Sequence, residues 1–185
     1  KMLCKLQMLG ILKETTEAAF LTAIEKGDDV KDTVEQIAKN VVLSAINEGE
    51  ASKERILEIA RTVCEAASEI ADVDQAFAKE LISGAIGGVK EALGKRTEKF
   101  IEEIKFAPDG QTLLGEAKEF IRLEERFVAM LRDMARSDEP SAAVINEILD
   151  ESVDSYFAKF KRLQNDVSRQ IELQLEELKF NENID

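Results

Sequence analysis

Residues 53–71 read KERILEIARTVCEAASEIA, and this stretch decides the fold class. Its apolar side chains recur every three or four residues, which is the spacing of one face of an α-helix. They are Ile56, Ile59, Ala60, Val63, Cys64, Ala67 and Ile70. Ser52 precedes the stretch as an N-cap residue, and neither glycine nor proline interrupts it. The stretch therefore predicts an amphipathic helix with one buried face.

Segments with the same periodicity lie on both sides of this stretch. They cover about residues 3–25, 30–47, 111–136 and 141–180, and another begins with a capping box at Asp72 and Gln75. Turn residues separate them, notably Gly27 and the Pro-containing stretches 107–110 and 137–140. The sequence predicts an all-α, elongated bundle of about six helices with a long C-terminal helix. We expect one domain over 1–185, with three shorter helices in 1–71 and three longer ones in 72–185.

The strongly acidic net charge argues against binding to nucleic acids and to anionic membranes. The formal net charge is −13, and 34% of the residues are charged. An acidic surface repels phosphate backbones, so we expect no nucleic-acid binding. It also disfavours electrostatic attachment to anionic membranes, although a local basic segment could still contact a lipid surface.

Catalytic chemistry has few candidate residues in this chain. The sequence contains no histidine, which removes the Ser-His and Cys-His nucleophiles and the histidine-based zinc and di-iron sites. Cys4 and Cys64 are far apart and form no metal-binding motif, which favours a reducing compartment such as the cytoplasm. We therefore predict a protein that is not an enzyme, with no catalytic residue, no metal site and no cofactor.

Two glycines within the fourth helical segment predict a close contact between helices. Gly84 and Gly88 lie four residues apart, and therefore on the same face. A glycine inside a helix costs about 0.5–1 kcal/mol relative to alanine. We interpret this pair as the place where the backbone of a neighbouring helix approaches, as small residues allow.

The last helical segment predicts self-association. Its 40 residues would form a rod of about 60 Å, which is longer than a compact domain of this size. Its apolar stripe continues to the far end, through Val167, Ile171, Leu175 and Leu178. An apolar stripe that extends past a bundle is normally buried by a second copy of the chain. We therefore expect a homodimer with these four residues in the interface, and an additional protein partner of unspecified identity.

Two function classes follow from these patterns. The first is a non-enzymatic structural or protein-interaction bundle. The alternative is a reversible lipid- or polymer-surface binder, similar in outline to apolipoproteins or phasins. The alternative draws on a 22-residue repeat that aligns 31–41 with 53–63. The apolar start, 1–12, is interrupted by lysines and is too short for a membrane span, so it predicts the first turns of a helix or an arm.

Two short stretches carry a resemblance to a known family. They are 23–30, which reads AIEKGDDV, and 123–127, which reads LEERF. Together with the paired helices after the first stretch, they resemble a family of all-helical bacterial proteins of about this length whose function is unknown. The resemblance implies an intracellular bacterial protein. It implies no activity, cofactor or catalytic residue.

Overall fold

The computed structural model describes residues 2–47, 52–104, 122–123 and 125–151, together with the helical residues 165, 169, 172–173, 176–177 and 179–180. Within this part of the chain, every regular element is helical, so the predicted all-α class is confirmed. The elements are α1 (Met2–Lys26), α2 (Val30–Asn47), α3 (Lys53–Val73), a short 3-10 helix (Gln75–Phe77), α4 (Ala78–Ile104), α5 (125–134) and α6 (140–151). The predicted long C-terminal helix lies mostly outside the described residues and stays a prediction.

The turn between α1 and α2 is built on left-handed backbone. Gly27 has a φ of 69°, and its N–H donates to the carbonyl of Ala23 at 3.2 Å. Glycine adopts this conformation without steric cost, which is why it so often follows a helix. The predicted cap at Gly27 is confirmed. The helix that follows starts at Val30, as the sequence predicts.

Helix α3 lies at the centre of the described bundle. The hydroxyl of Ser52 accepts a hydrogen bond from the N–H of Arg55 at 3.2 Å, which confirms the predicted N-cap. All seven apolar residues of its predicted stripe are buried. Because α1, α2 and α4 all contact it, α3 buries eleven of its 21 residues.

The capping box predicted at Asp72 and Gln75 is wrong. Helix α3 continues to Val73, so Asp72 lies inside its last turn, and Asp74 caps the 3-10 helix through the N–H of Ala76. The carboxylate of Asp72 instead accepts a hydrogen bond from the N–H of Ser141 at 2.9 Å. This N–H is one of the donors that the start of α6 leaves unpaired. Asp72 therefore joins the end of α3 to the start of α6.

Helices α5 and α6 complete the core. Their buried apolar residues are Leu123, Phe127, Leu131, Ala135, Ala142, Ile145 and Leu149. Asn146 donates to the carbonyl of Ala135 at 3.2 Å, which fixes the turn between the two helices. On the surface, Lys79 of α4 pairs with Glu147 of α6 at 2.9 Å. The first and second halves of the described chain therefore share one apolar core.

Candidate functional site

The backbones of α2 and α4 come close together at two glycines of α4. A Cβ atom added to Gly84 would lie 2.6 Å from the carbonyl oxygen of Lys31. One added to Gly88 would lie 2.7 Å from the Cβ of Ala38 and would overlap the carbonyl oxygen of Glu35. Real Cβ atoms do not come this close to backbone atoms, so only glycine fits at either position.

A second feature is the exposed apolar surface at the start of α1. The large apolar side chains there are Leu3, Leu6, Met8 and Ile11, with exposed fractions of 76%, 65%, 61% and 64%. Further along, the same helix buries Phe20 and Ala23 in the core. Single exposed apolar residues are ordinary, but four within three turns of one helix indicate an interaction surface. The prediction of helical first turns is confirmed.

The exposed side of α1 carries a continuous uncharged stripe along most of the helix. Its members are Cys4, Met8, Ile11, Thr15, Ala18 and Thr22, all of them exposed. At 100° per residue, these six positions fall within an arc of about 80°. The hydroxyl of Thr15 donates to the carbonyl of Ile11 at 2.8 Å, and that of Thr22 donates to Ala18 at 2.9 Å. Both hydroxyl protons are thus satisfied inside the helix.

Sequence reasoning missed this uncharged stripe of α1. It predicted a helical segment over about residues 3–25 and interpreted the apolar start, 1–12, as the first turns of that helix or an arm. The signal was present in the spacing, since positions 4, 8, 11, 15, 18 and 22 alternate in steps of four and three. That alternation is the heptad-like pattern of a helix that packs along another helix.

An ionic cluster joins α1 to α3 beside the core. Lys13 of α1 forms a short contact with the carboxylate of Glu69 in α3. Glu17 also reaches this carboxylate. Burial, a hydrogen bond to Glu69 and its negative charge raise the pKa of Glu17. Burial opposes ionisation of Glu69, but hydrogen bonds from Lys13 and Glu17 lower its pKa. Glu69 therefore pairs with Lys13 and accepts a hydrogen bond from the proton that Glu17 carries when it is protonated.

Replacing Glu17 with glutamine should stabilise the protein near pH 7. The amide can donate to Glu69 without binding a proton, and it removes a like charge. A raised folded-state pKa means that Glu17 stabilises the fold when protonated, and that this contribution is lost as pH rises. The cluster is partly exposed, so we expect a gain of only about 0.5 kcal/mol. Urea unfolding at several pH values should show the gain shrinking as pH falls towards 4. A gain that grows on acidification would contradict the shared-proton geometry.

The core contains a small apolar gap beside the buried cysteine. It is lined by Cys64, Ala67, Ser68, Ile82, Ala85, Ile86, Leu131 and Ile145, and it is too small for a water molecule. Burial, and secondarily the charge of Glu65, raises the pKa of the Cys64 thiol to about 12. A thiol with such a pKa is protonated at neutral pH and is a poor nucleophile. Cys64 is therefore a packing residue, as its place on the stripe predicts.

Ser68 should be replaceable by alanine with a gain in stability. Its hydroxyl is buried without a hydrogen-bond partner. A buried polar group that stays unpaired costs about 1–3 kcal/mol. We expect Ser68→Ala to raise the free energy of unfolding by about 1 kcal/mol, measured by urea titration. Thr62 offers a matched control on α3, because its hydroxyl donates to the carbonyl of Glu58 at 2.8 Å. Thr62→Val should not raise the free energy of unfolding. If Ser68→Ala lowers it instead, the Ser68 hydroxyl has a hydrogen-bond partner.

Four arginines in and beside α5 lie on the surface. Arg122, Arg126, Arg132 and Arg136 are exposed. Two of them pair with carboxylates of Glu54 and Asp133, at 3.7 and 3.8 Å. The predicted self-association residues Val167, Ile171, Leu175 and Leu178 lie outside the described residues. Nearby, the described side chains of Leu173 and Phe180 are 48% and 68% exposed.

The described part of the chain contains neither a candidate metal site nor a helix that could cross a membrane. Its cysteine, aspartate and glutamate side chains form no group of three that could hold a metal ion. None of its helices is both long enough and apolar enough to cross a membrane. Comparisons with family models, curated proteins and solved structures give no match to this chain. The family resemblance therefore rests on the residues quoted above alone.

Proposed function

We propose that this protein is a non-enzymatic, cytoplasmic helical bundle that acts through protein–protein contacts and associates with itself. The observation that supports this most directly is the exposed apolar surface of α1, where Leu3, Leu6, Met8 and Ile11 lie in a well-formed helix. Exposing several large apolar side chains together is unfavourable in water. A protein surface that covers them would remove this cost.

The chemistry of the chain supports a role without catalysis. Its sequence has no histidine, and its buried cysteine is a weak nucleophile. The described carboxyl groups with shifted pKa values are Glu17 and Glu69, beside Lys13, and Glu91, whose pKa is lowered by a hydrogen bond from Lys39; both groups of shifts follow from ion pairs between packed helices. Structural ion pairs of this kind perturb pKa values without any catalytic role.

The proposed self-association includes the C-terminal stripe. Val167, Ile171, Leu175 and Leu178 would form part of a homodimer interface, with the acidic remainder of the segment facing water. Light scattering at micromolar concentration should give a dimer for the intact chain. The double variant Ile171→Glu/Leu175→Glu should give a monomer with unchanged helix content by circular dichroism. A monomeric intact chain would refute the self-association itself, and a dimer that tolerates both charges would exclude this interface.

A second candidate function, reversible binding to a lipid surface, is favoured by the local charge at the start of the chain. Residues 1–13 contain three lysines and no acidic residue, although the whole chain is strongly acidic. A basic segment with exposed apolar side chains can bind an anionic bilayer. Sedimentation with vesicles that contain an anionic phospholipid, and with neutral vesicles as a control, tests it. Binding to the anionic vesicles alone would support this second candidate.

A further inference from the structure

We infer that the uncharged stripe of α1 is a docking surface for the same stripe of a second copy of this chain, in antiparallel orientation. This inference rests on the proposed self-association and assigns part of it to α1. The stripe is exposed from Cys4 to Thr22, over about 27 Å of helix. Its alternating spacing of four and three residues keeps it in line with a partner helix that crosses at a shallow angle.

The two ends of the stripe differ in side-chain size. Met8 and Ile11, in the first half, are large and 61% and 64% exposed, whereas Thr15, Ala18 and Thr22 of the second half are small. A two-fold axis midway between Ile11 and Thr15 would place Met8 opposite Ala18 of the second copy. The same axis would place Ile11 opposite Thr15, and Cys4 opposite Thr22.

Large side chains would therefore face small ones at the central positions of the antiparallel pair, where Met8 meets Ala18 and Ile11 meets Thr15, and the small Cys4 and Thr22 would meet at its ends. A parallel pair would instead place Met8 against Met8 and Ala18 against Ala18, with crowding at one end and a gap at the other. Interfaces bury their central residues at the packing density of protein interiors, which penalises both defects. The stripe is thus complementary to itself in one orientation only.

The polar atoms of the stripe are compatible with burial against another helix. The hydroxyls of Thr15 and Thr22 already donate to carbonyls of their own helix, so docking leaves no donor unpaired. Their methyl groups remain available for packing. A bilayer fits the stripe less well, because its second half offers no large apolar side chain. Glu14 and Glu25 of the same helix would also face anionic headgroups unfavourably.

The small area of the α1 stripe limits the affinity of two copies for each other. A strip about 27 Å long and about 10 Å wide is smaller than the roughly 800 Å² per partner of a standard stable interface. The exposed Leu3 and Leu21, at 76% and 47%, can widen it. We therefore expect contacts through α1 to form at high micromolar concentration and to dissociate on dilution, unless another interface holds the two copies together.

Cysteine cross-linking tests the orientation and the register in the full-length chain. Cys4 is exposed and Cys64 is buried, so one native thiol is accessible among these two. In the antiparallel pair, Thr22→Cys would lie opposite Cys4 of the second copy, within the distance that a disulfide requires. Mild oxidation of Thr22→Cys should give a covalent dimer with two bridges. The natural chain should give none, because its two Cys4 residues would lie at opposite ends of the pair.

Two further variants serve as a control for random collision and as a disruption of the proposed interface. Gln36→Cys, exposed on α2, controls for random collision of surface thiols and should not cross-link. Met8→Glu added to Thr22→Cys should abolish the covalent dimer while helix content is unchanged. Cross-linking of the natural chain through Cys4, or equal cross-linking of both cysteine variants, would overturn the inference. A dimer by light scattering that never cross-links through Thr22→Cys would overturn it and leave the proposed self-association standing.

Discussion

Gly88→Ala should lower the free energy of unfolding by about 1–3 kcal/mol, although alanine is the better helix former. The new Cβ would lie 2.7 Å from the Cβ of Ala38 and 2.8 Å from the amide nitrogen of Lys39. Backbone atoms of α2 cannot rotate away as a flexible side chain could, so the two helices must separate. The lost packing then exceeds the gain in helix propensity. Urea unfolding monitored by circular dichroism measures the difference.

Gly94→Ala is the matched control in the same helix. A Cβ at Gly94 would meet nothing within 4 Å. Helix propensity then acts alone, and this variant should gain about 0.5–1 kcal/mol. Both substitutions replace glycine with alanine, but their effects on the free energy of unfolding should have opposite signs. Stabilisation of both variants by similar amounts would show that α2 and α4 are not in close contact at Gly88.

Phe127→Ala should cost about 3–5 kcal/mol. Phe127 is fully buried in α5, next to Leu123 and Leu131 of the same helix face. Removing its ring leaves a cavity between α5 and the earlier helices, because a close-packed core relaxes only in part. Arg126→Ala is the control, since its side chain is 56% exposed and its pair with Glu54 is weak. It should change stability by less than about 0.5 kcal/mol.

The same variant tests whether the described helices unfold together. Phe127 lies in the second half of the chain, whereas most of the helical signal of the described core comes from α1 to α4. If one core links both halves, Phe127→Ala should move a single transition to lower urea concentration. An early partial transition that leaves most of the helix signal intact would separate α5 and α6 from the rest of the core.

Local rules predicted most of the fold. Helix α2 has the predicted limits, and α3 has the predicted cap at Ser52 and the predicted buried stripe. Helical periodicity and capping depend on residues within a few positions of each other, so a sequence displays them directly. Asp72 shows where these rules fail. Its true partner, Ser141, is 69 residues away, and no local pattern relates the two.

The candidate site could be predicted only in part. The four-residue spacing of Gly84 and Gly88 indicates a close helix approach, but that α2 is the neighbouring helix comes from the tertiary arrangement. The uncharged stripe of α1 was hidden because the start of this helix is apolar on every side. Only packing decides which side is covered, and it covers the side of Phe20 while Met8 and Ile11 stay exposed.

The hydrogen bond from Ser141 to Asp72 has a consequence for how the chain matures on the ribosome. At about 5–20 residues per second, the 69 residues between them take about 3–14 s to synthesise. During this interval α4 follows α1 to α3 out of the exit tunnel, while the helices that cover one side of their core have not yet emerged. The nascent chain therefore presents an uncovered apolar surface for seconds, and arrival of residue 141 marks the moment at which it can close.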